Sequence, residues 1–151
     1  MPTTAIDAEA PIAALAALVD AVPGIQTVYT GTPESSATRV MAYVAFLGAD
    51  VQDKALGGLF RGRLRYFVGI GYRVEKAETA AETTMAQAST DFIMAFYANR
   101  NAHTLLGGTV DSMELIASQS SEPVYTTLNG REFRVVPHIV EVTQHQTVPV
   151  T

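Results

Sequence analysis

The segment Gly62–Val74 constrains the fold most, because large apolar residues occupy every second position along it. Such strict alternation predicts a long β-strand that buries one face against a core. The opposite face carries arginines towards its ends. Gly69 and Gly71 on that face predict a bulge or the close approach of another backbone. The face that we expect to be buried consists of Leu64, Tyr66, Val68, Ile70, Tyr72 and Val74.

Two segments have the periodicity of amphipathic helices. In residues 10–22, Ile12, Leu15 and Val19 recur at spacings of three and four, which places them on one helical face. Asp7 is suited to cap this helix, and Pro23-Gly24 ends it. Residues 77–98 predict a second, longer helix, whose apolar stripe consists of Ala81, Met85, Ala88, Phe92 and Phe96.

The other β-type segments are residues 25–30, 39–47, 109–118, 124–128 and 131–143. Asn129-Gly130 separates the last two and predicts a two-residue hairpin turn. The order α-β-β-β-α-β-β-β predicts an α+β fold, in which two helices pack on one face of a mainly antiparallel sheet. We expect a single domain over residues 1–151, with its core in residues 10–142 and flexible termini.

Composition narrows the range of functions. Ten Lys and Arg against fifteen Asp and Glu give a net charge of −5, which argues against broad nucleic-acid binding. The absence of Cys excludes disulfides, thiolate metal sites and cysteine nucleophiles. The longest apolar run, residues 12–19, is far shorter than a bilayer span, and the first residues lack the basic region of a signal peptide. We therefore expect synthesis in the cytoplasm and no membrane partner.

No pattern in the sequence predicts catalysis. His103, His138 and His145 lack the spacing of a zinc site, and the last two fall on opposite faces of a regular strand. A nucleophile elbow, a phosphate-binding loop and a complete dinucleotide fingerprint are all missing from the sequence. We expect no catalytic residue, no cofactor and no metal, and hence no enzyme.

Arginines form the one polar group of functional interest. Arg61, Arg63 and Arg65 project to one side if the long strand extends back to Arg61, and Arg73 shares their parity further along. One interpretation is a solvated strand face whose charges discourage edge aggregation. The other is a docking surface for phosphate or for acidic groups of a neighbouring subunit.

Residues 48–61 have only a weak pattern and predict a long loop. Long loops without secondary structure are uncommon in compact domains and usually have a function. We expect it to be mobile in the free subunit and to become ordered against a neighbour, although a solvent loop without a partner is the alternative. Its candidate anchors are the apolar residues Val51, Leu56, Leu59 and Phe60 and the polar residues Asp50, Asp53 and Lys54.

Several short motifs occur in a characteristic order along the chain. The first helix ends in Val22-Pro-Gly-Ile25, and Val28-Tyr-Thr-Gly-Thr-Pro33 and Ala42-Tyr-Val44 follow. Phe96-Tyr-Ala-Asn99 ends the long helix, before Leu105-Leu-Gly-Gly108 and the Asn-Gly hairpin. Over residues 10–142 this order resembles the tail terminator proteins of tailed bacteriophages, also called tail completion or tail-to-head joining proteins.

The resemblance implies a structural protein of the virion, at the head-proximal end of the tail, assembled in the cytoplasm of the host bacterium. Members of that family form homohexameric rings that cap the tail tube, stop its polymerisation and join the tail to the head. The expected partners are further copies of the chain, the tail tube protein and a head-closure or neck protein. Genomic DNA passes through the ring without specific binding.

On this interpretation the arginines contact another subunit or the tube. A head-closure or neck connector protein and another tail component are alternatives of the same class. From a different class, a small-ligand-binding α+β protein or an enzyme remains an alternative.

Overall fold

The computed structural model describes residues 6–33, 40–55, 59–74, 79–100, 110–116 and 122–147. These residues form two helices and six strands in the predicted order, which confirms the α+β class. The helices are α1 (Glu9–Asp20) and α2 (Thr79–Arg100). The strands are β1 (Thr27–Thr30), β2 (Met41–Ala55), β3 (Leu59–Arg73), β4 (Ser112–Leu115), β5 (Val124–Leu128) and β6 (Arg131–Thr147).

One mostly antiparallel sheet contains all six of these strands. Its order is β1-β2-β3-β6-β4, and β5 pairs with β6 beside β4. The short β1 runs parallel to β2, and the remaining pairs are antiparallel. β3 pairs along its whole length with β6, from Leu59↔Thr147 to Arg73↔Phe133. The long central strands β2, β3 and β6 therefore form the body of the sheet.

Both helices pack on one face of the sheet, called the helix face below. Its core contains residues of α1, α2 and the even-numbered positions of β3. Of the residues that the sequence predicts to be buried, Ile12, Val74 and Ala81 are only partly buried. The others are buried as expected: Leu15, Val19, Leu64, Tyr66, Val68, Ile70, Tyr72, Met85, Ala88, Phe92 and Phe96.

Polar contacts fix the start of α1 on the sheet. The Asp7 carboxylate accepts hydrogen bonds from the backbone N–H groups of Glu9 at 2.9 Å and Ala10 at 3.3 Å, as expected of a capping residue. The backbone of Asp7 exchanges two hydrogen bonds with the buried Gln144 amide on β6. Tyr66 on β3 donates its hydroxyl to the carbonyl of Ala8 at 2.7 Å. The segment that leads into α1 is therefore attached to β3 and to β6.

The β5–β6 hairpin turns at Asn129-Gly130, as the sequence predicts. Both residues have positive φ, 50° at Asn129 and 76° at Gly130. A type I′ turn requires this geometry at its two central positions. The pair Leu128↔Arg131 closes the hairpin beside the turn.

The predicted loop over residues 48–61 is wrong, because β2 continues to Ala55 and β3 begins at Leu59. Backbone pairing with β3 orders this part of β2, although no regular apolar alternation signals it. Register shifts between Phe46 and Gly48 and between Asp53 and Ala55 further interrupt the alternation. The predicted end of the last strand at 143 also falls short, since β6 reaches Thr147.

Candidate functional site

Arg61, Arg63 and Arg65 lie side by side on the face of the sheet opposite the helices, called the outer face below. Their partners across β6 are His145, Thr143 and Glu141, and their partners across β2 are Gln52, Asp50 and Gly48. Cross-strand partners share a face, so this end of the outer face is polar over three strands. β3 begins at Leu59, so the condition on which Arg61 joins this row of arginines is met.

The charged and polar side chains of this end are only partly paired within the described part of the chain. Arg65 Nε lies 3.0 Å from Glu141 Oε2, and His145 Nδ1 lies 2.8 Å from Asp111 Oδ2. The Arg65 side chain is 56% exposed, so its ion pair contributes at most about 1 kcal/mol. Arg61 and Arg63 form no ion pair with any residue that the structure describes. Two cations on this face are thus available to carboxylates of a partner.

A shallow groove of about 390 Å³ runs beside these arginines. Arg63, Arg65, Asp50 and Glu141 give it charge of both signs, and Leu47 and Ile139 add apolar contact. A groove with this lining suits a protein segment that presents charged groups of both signs beside apolar side chains.

Arg73 does not belong to the arginine group, although its parity is the same. It lies at the other end of β3 opposite Phe133, and only 8% of its surface is exposed. That end of the outer face is apolar and buries Met41, Tyr43, Phe133 and Val135 in a second cluster. Burial beside this cluster removes Arg73 from the candidate docking surface.

The two glycines of β3 permit close packing in this second cluster. A Cβ at Gly69 would lie 2.5 Å from the ring of Tyr43, which stacks at 5.3 Å against Phe67. A Cβ at Gly71 would overlap the carbonyl oxygen of Arg134. The predicted close approach of a backbone is therefore confirmed at Gly71, whereas a side chain makes the contact at Gly69.

The other candidate anchors are distributed along β2 and β3. Asp50 and Val51 are exposed on β2, and Phe60 is half-buried on β3. Asp53, Lys54 and Leu59 lie within the two strands, but their side chains are outside the described part of the structure. Leu56 lies outside the described residues altogether.

The sheet has open edges that the sequence interpretation missed. β1 pairs with β2 only from Met41 to Val44, so β2 has no described strand beside its outer edge from Ala45 to Ala55. On the other side of the sheet, β5 pairs with β6 alone among the described strands. These two edges face in opposite directions, and each offers backbone groups that no described strand pairs.

Exposed large apolar residues are concentrated on these edges. Seven such residues, 37–66% exposed, occur in the described ranges, and five of them are on β2 or β5. The sequence contains one signal of this surface, because both faces of residues 39–47 are apolar. A strand of this kind must be covered on both faces, by helices of its own chain or by another chain. The five are Phe46, Leu47, Val51, Val124 and Tyr125.

His138 is the most unusual polar residue of the helix-face core. It is fully buried on β6 with its ring 5.0 Å from that of Phe92, and neither ring nitrogen has a hydrogen-bond partner among the described residues. Burial lowers the pKa of His138 to about 4, so the ring is neutral near pH 7. His138 and Ser89 line a cavity of about 280 Å³ between α2 and β6. The Ser89 hydroxyl oxygen and both ring nitrogens of His138 are nevertheless inaccessible to solvent.

Metal binding, membrane crossing and similarity to known proteins offer no further candidate among the described residues. No group of three or more His, Asp or Glu side chains within the described ranges is arranged to hold a metal ion. Neither α1 nor α2 combines the length and the apolar character needed to cross a bilayer. No family model matches the sequence, and no match is found among curated proteins.

Proposed function

We propose that the chain is a structural subunit of a tailed-phage virion, which forms a closed ring at the head-proximal end of the tail as tail terminators do. The observation that carries the proposal is the pair of open, apolar sheet edges on β2 and β5. Exposed edges of this kind promote association and are normally protected or paired.

The placement of the two edges favours a ring over a dimer. A two-fold dimer joins the same patch on both subunits, so contact through one edge leaves the other edge exposed. A head-to-tail contact joins β2 of one copy to β5 of the next and covers both edges in every subunit. Such contacts close into a ring when the rotation between subunits permits it.

Two electrostatic features agree with a ring on a tail tube. Arg61 and Arg63 have no described ion-pair partner and supply cations for contact with an acidic neighbour. The net charge of −5 suits a ring through which DNA must pass without adhering. The order of sequence motifs resembles that of tail terminators and therefore favours this kind of ring over others.

The proposal is tested by polymerising the tail tube protein of the same genome with and without this chain. We expect the chain to bind tube ends and stop elongation, so that tubes are shorter in its presence in electron micrographs. Tubes that elongate equally in both reactions would contradict a terminator.

A mutant of the phage that encodes this chain distinguishes a terminator from a head-closure or neck protein. Loss of a terminator gives tails of uncontrolled length, because nothing stops the tube. Loss of a neck protein leaves tails of normal length that fail to join filled heads. A nonsense mutation in the gene for this chain therefore separates the two by tail length alone.

A further inference from the structure

We infer that neighbouring subunits join by strand addition, in which the open edge of β2 in one copy pairs with the open edge of β5 in the next. This inference rests on the proposed ring and identifies the contact that forms it. The paired strands would continue the sheet from subunit to subunit.

The backbone of β2 provides the first argument. β3 occupies one side of this strand through Ala55, whereas β1 leaves the other side after Val44. The N–H and C=O groups on that side can therefore pair with an added strand, which is the usual basis of recognition by β-augmentation. β5 has the same property, because its one described partner is β6.

The side chains of β2 provide apolar contact beside these backbone groups. Phe46 packs edge-on against Tyr66 with 5.7 Å between ring centroids, yet almost half of its surface remains exposed. Leu47 is the extra residue of the irregularity between Phe46 and Gly48, where the register with β3 shifts. Val51 lies further along β2, beyond the part that pairs with β1, and is exposed. Burial of such apolar side chains against the next subunit would stabilise the contact.

Tyr125 gives β5 an anchor that is already held in place. The Arg134 guanidinium lies over the Tyr125 ring at 5.0 Å, and Glu82 holds Arg134 through an ion pair of 3.0 Å. Glu82 in turn accepts a hydrogen bond of 2.5 Å from Tyr72. An aromatic ring held in this way loses little conformational entropy on binding, which favours association.

The charges near the two edges include one complementary set. Arg61 and Arg63 lie on the outer face of β3, next to β2, and the exposed Glu122 immediately precedes β5. Glu132 is also exposed, but it shares the parity of Arg134 on β6 and therefore lies on the helix face. Neither the two arginines nor Glu122 forms an ion pair within the described part of the chain. Because the arginines and Glu122 lie beside edges on opposite sides of the sheet, a second copy of this chain can bring them together.

The absence of cysteine allows a direct cross-linking test. Leu47→Cys and Val51→Cys are each combined with Val124→Cys or Tyr125→Cys, which gives four double variants that sample different strand registers. The control combines Val51→Cys with Met94→Cys, since Met94 is equally accessible on α2 but lies on neither edge. Each variant is oxidised as concentrated protein and together with tail tubes.

We expect at least one β2–β5 variant to give a ladder of covalent dimers, trimers and larger species, while the control and the single-cysteine variants give none. Rings in native mass spectra without any β2–β5 ladder would overturn the inference but leave the proposed function intact. Covalent dimers from Val51→Cys alone would show that two β2 edges meet and would also overturn it. Monomers alone, with and without tubes, would contradict the proposed function itself.

Discussion

Protonation of His138 should weaken the fold as the pH falls. The ring is neutral and buried in the folded chain, with a pKa near 4, whereas an unfolded histidine has its ordinary pKa of about 6.5. Between these values the unfolded state binds more protons, so the free energy of unfolding decreases with falling pH. The full pKa difference corresponds to about 3 kcal/mol, of which about 2 kcal/mol is lost between pH 7 and pH 5.

Urea unfolding of wild-type protein and His138→Leu at pH 7, 6 and 5 measures this effect. Circular dichroism is a suitable probe, because the chain has no Trp. His138→Leu should remove about 2 kcal/mol of the pH dependence, since leucine does not titrate. Ser89→Ala is the matched control, because it alters the same cavity without removing a titrating group. Equal pH dependence in wild-type protein and His138→Leu would show that the His138 ring is not the source of the pH dependence.

Three further predictions concern the core, the outer face and the hairpin. Ile70→Ala should lower the free energy of unfolding by about 2–5 kcal/mol through cavity formation, and a loss below about 1 kcal/mol in urea titration would contradict the assigned core. Arg63→Glu combined with Arg65→Glu should leave the circular dichroism of the monomer unchanged but block assembly; normal assembly would mean that these arginines only solvate the strand. Gly130→Ala should destabilise the chain by about 1 kcal/mol, because φ is 76° there, and an unchanged melting temperature would contradict the type I′ turn.

Local patterns predicted the elements that bury one face. Alternation around Ile70 predicted β3, periodicity around Phe92 predicted α2, and Asn129-Gly130 predicted the hairpin. In β3 and α2, buried positions recur with the period of a strand or of a helix. The Asn-Gly pair specifies its turn by itself. The sequence alone therefore contains enough information to predict them.

The far end of β2 could not be predicted in the same way. Pairing with β3 orders this segment, and a cross-strand partner is not encoded in the spacing of its own residues. The bulge at Leu47 also moves later residues to the other face, which breaks the alternation. The parity of Arg73 was similarly misleading, because one strand face changes from polar to buried apolar along its length.

The candidate site was predictable in part. The shared parity of Arg61, Arg63 and Arg65 placed them correctly on one face. The open edges were not predictable, because they depend on where β1 stops pairing with β2 and on which strands remain outermost. Edge positions are a property of the whole topology.

The most direct test of the ring is the mass and symmetry of the assembled species. Native mass spectrometry of the concentrated protein, together with electron microscopy of purified tails, gives the number of copies and their rotation. We expect closed rings of six copies in head-to-tail contact at the head-proximal end of the tail. A stable two-fold dimer as the sole species, in solution and on tails, would contradict the proposed ring.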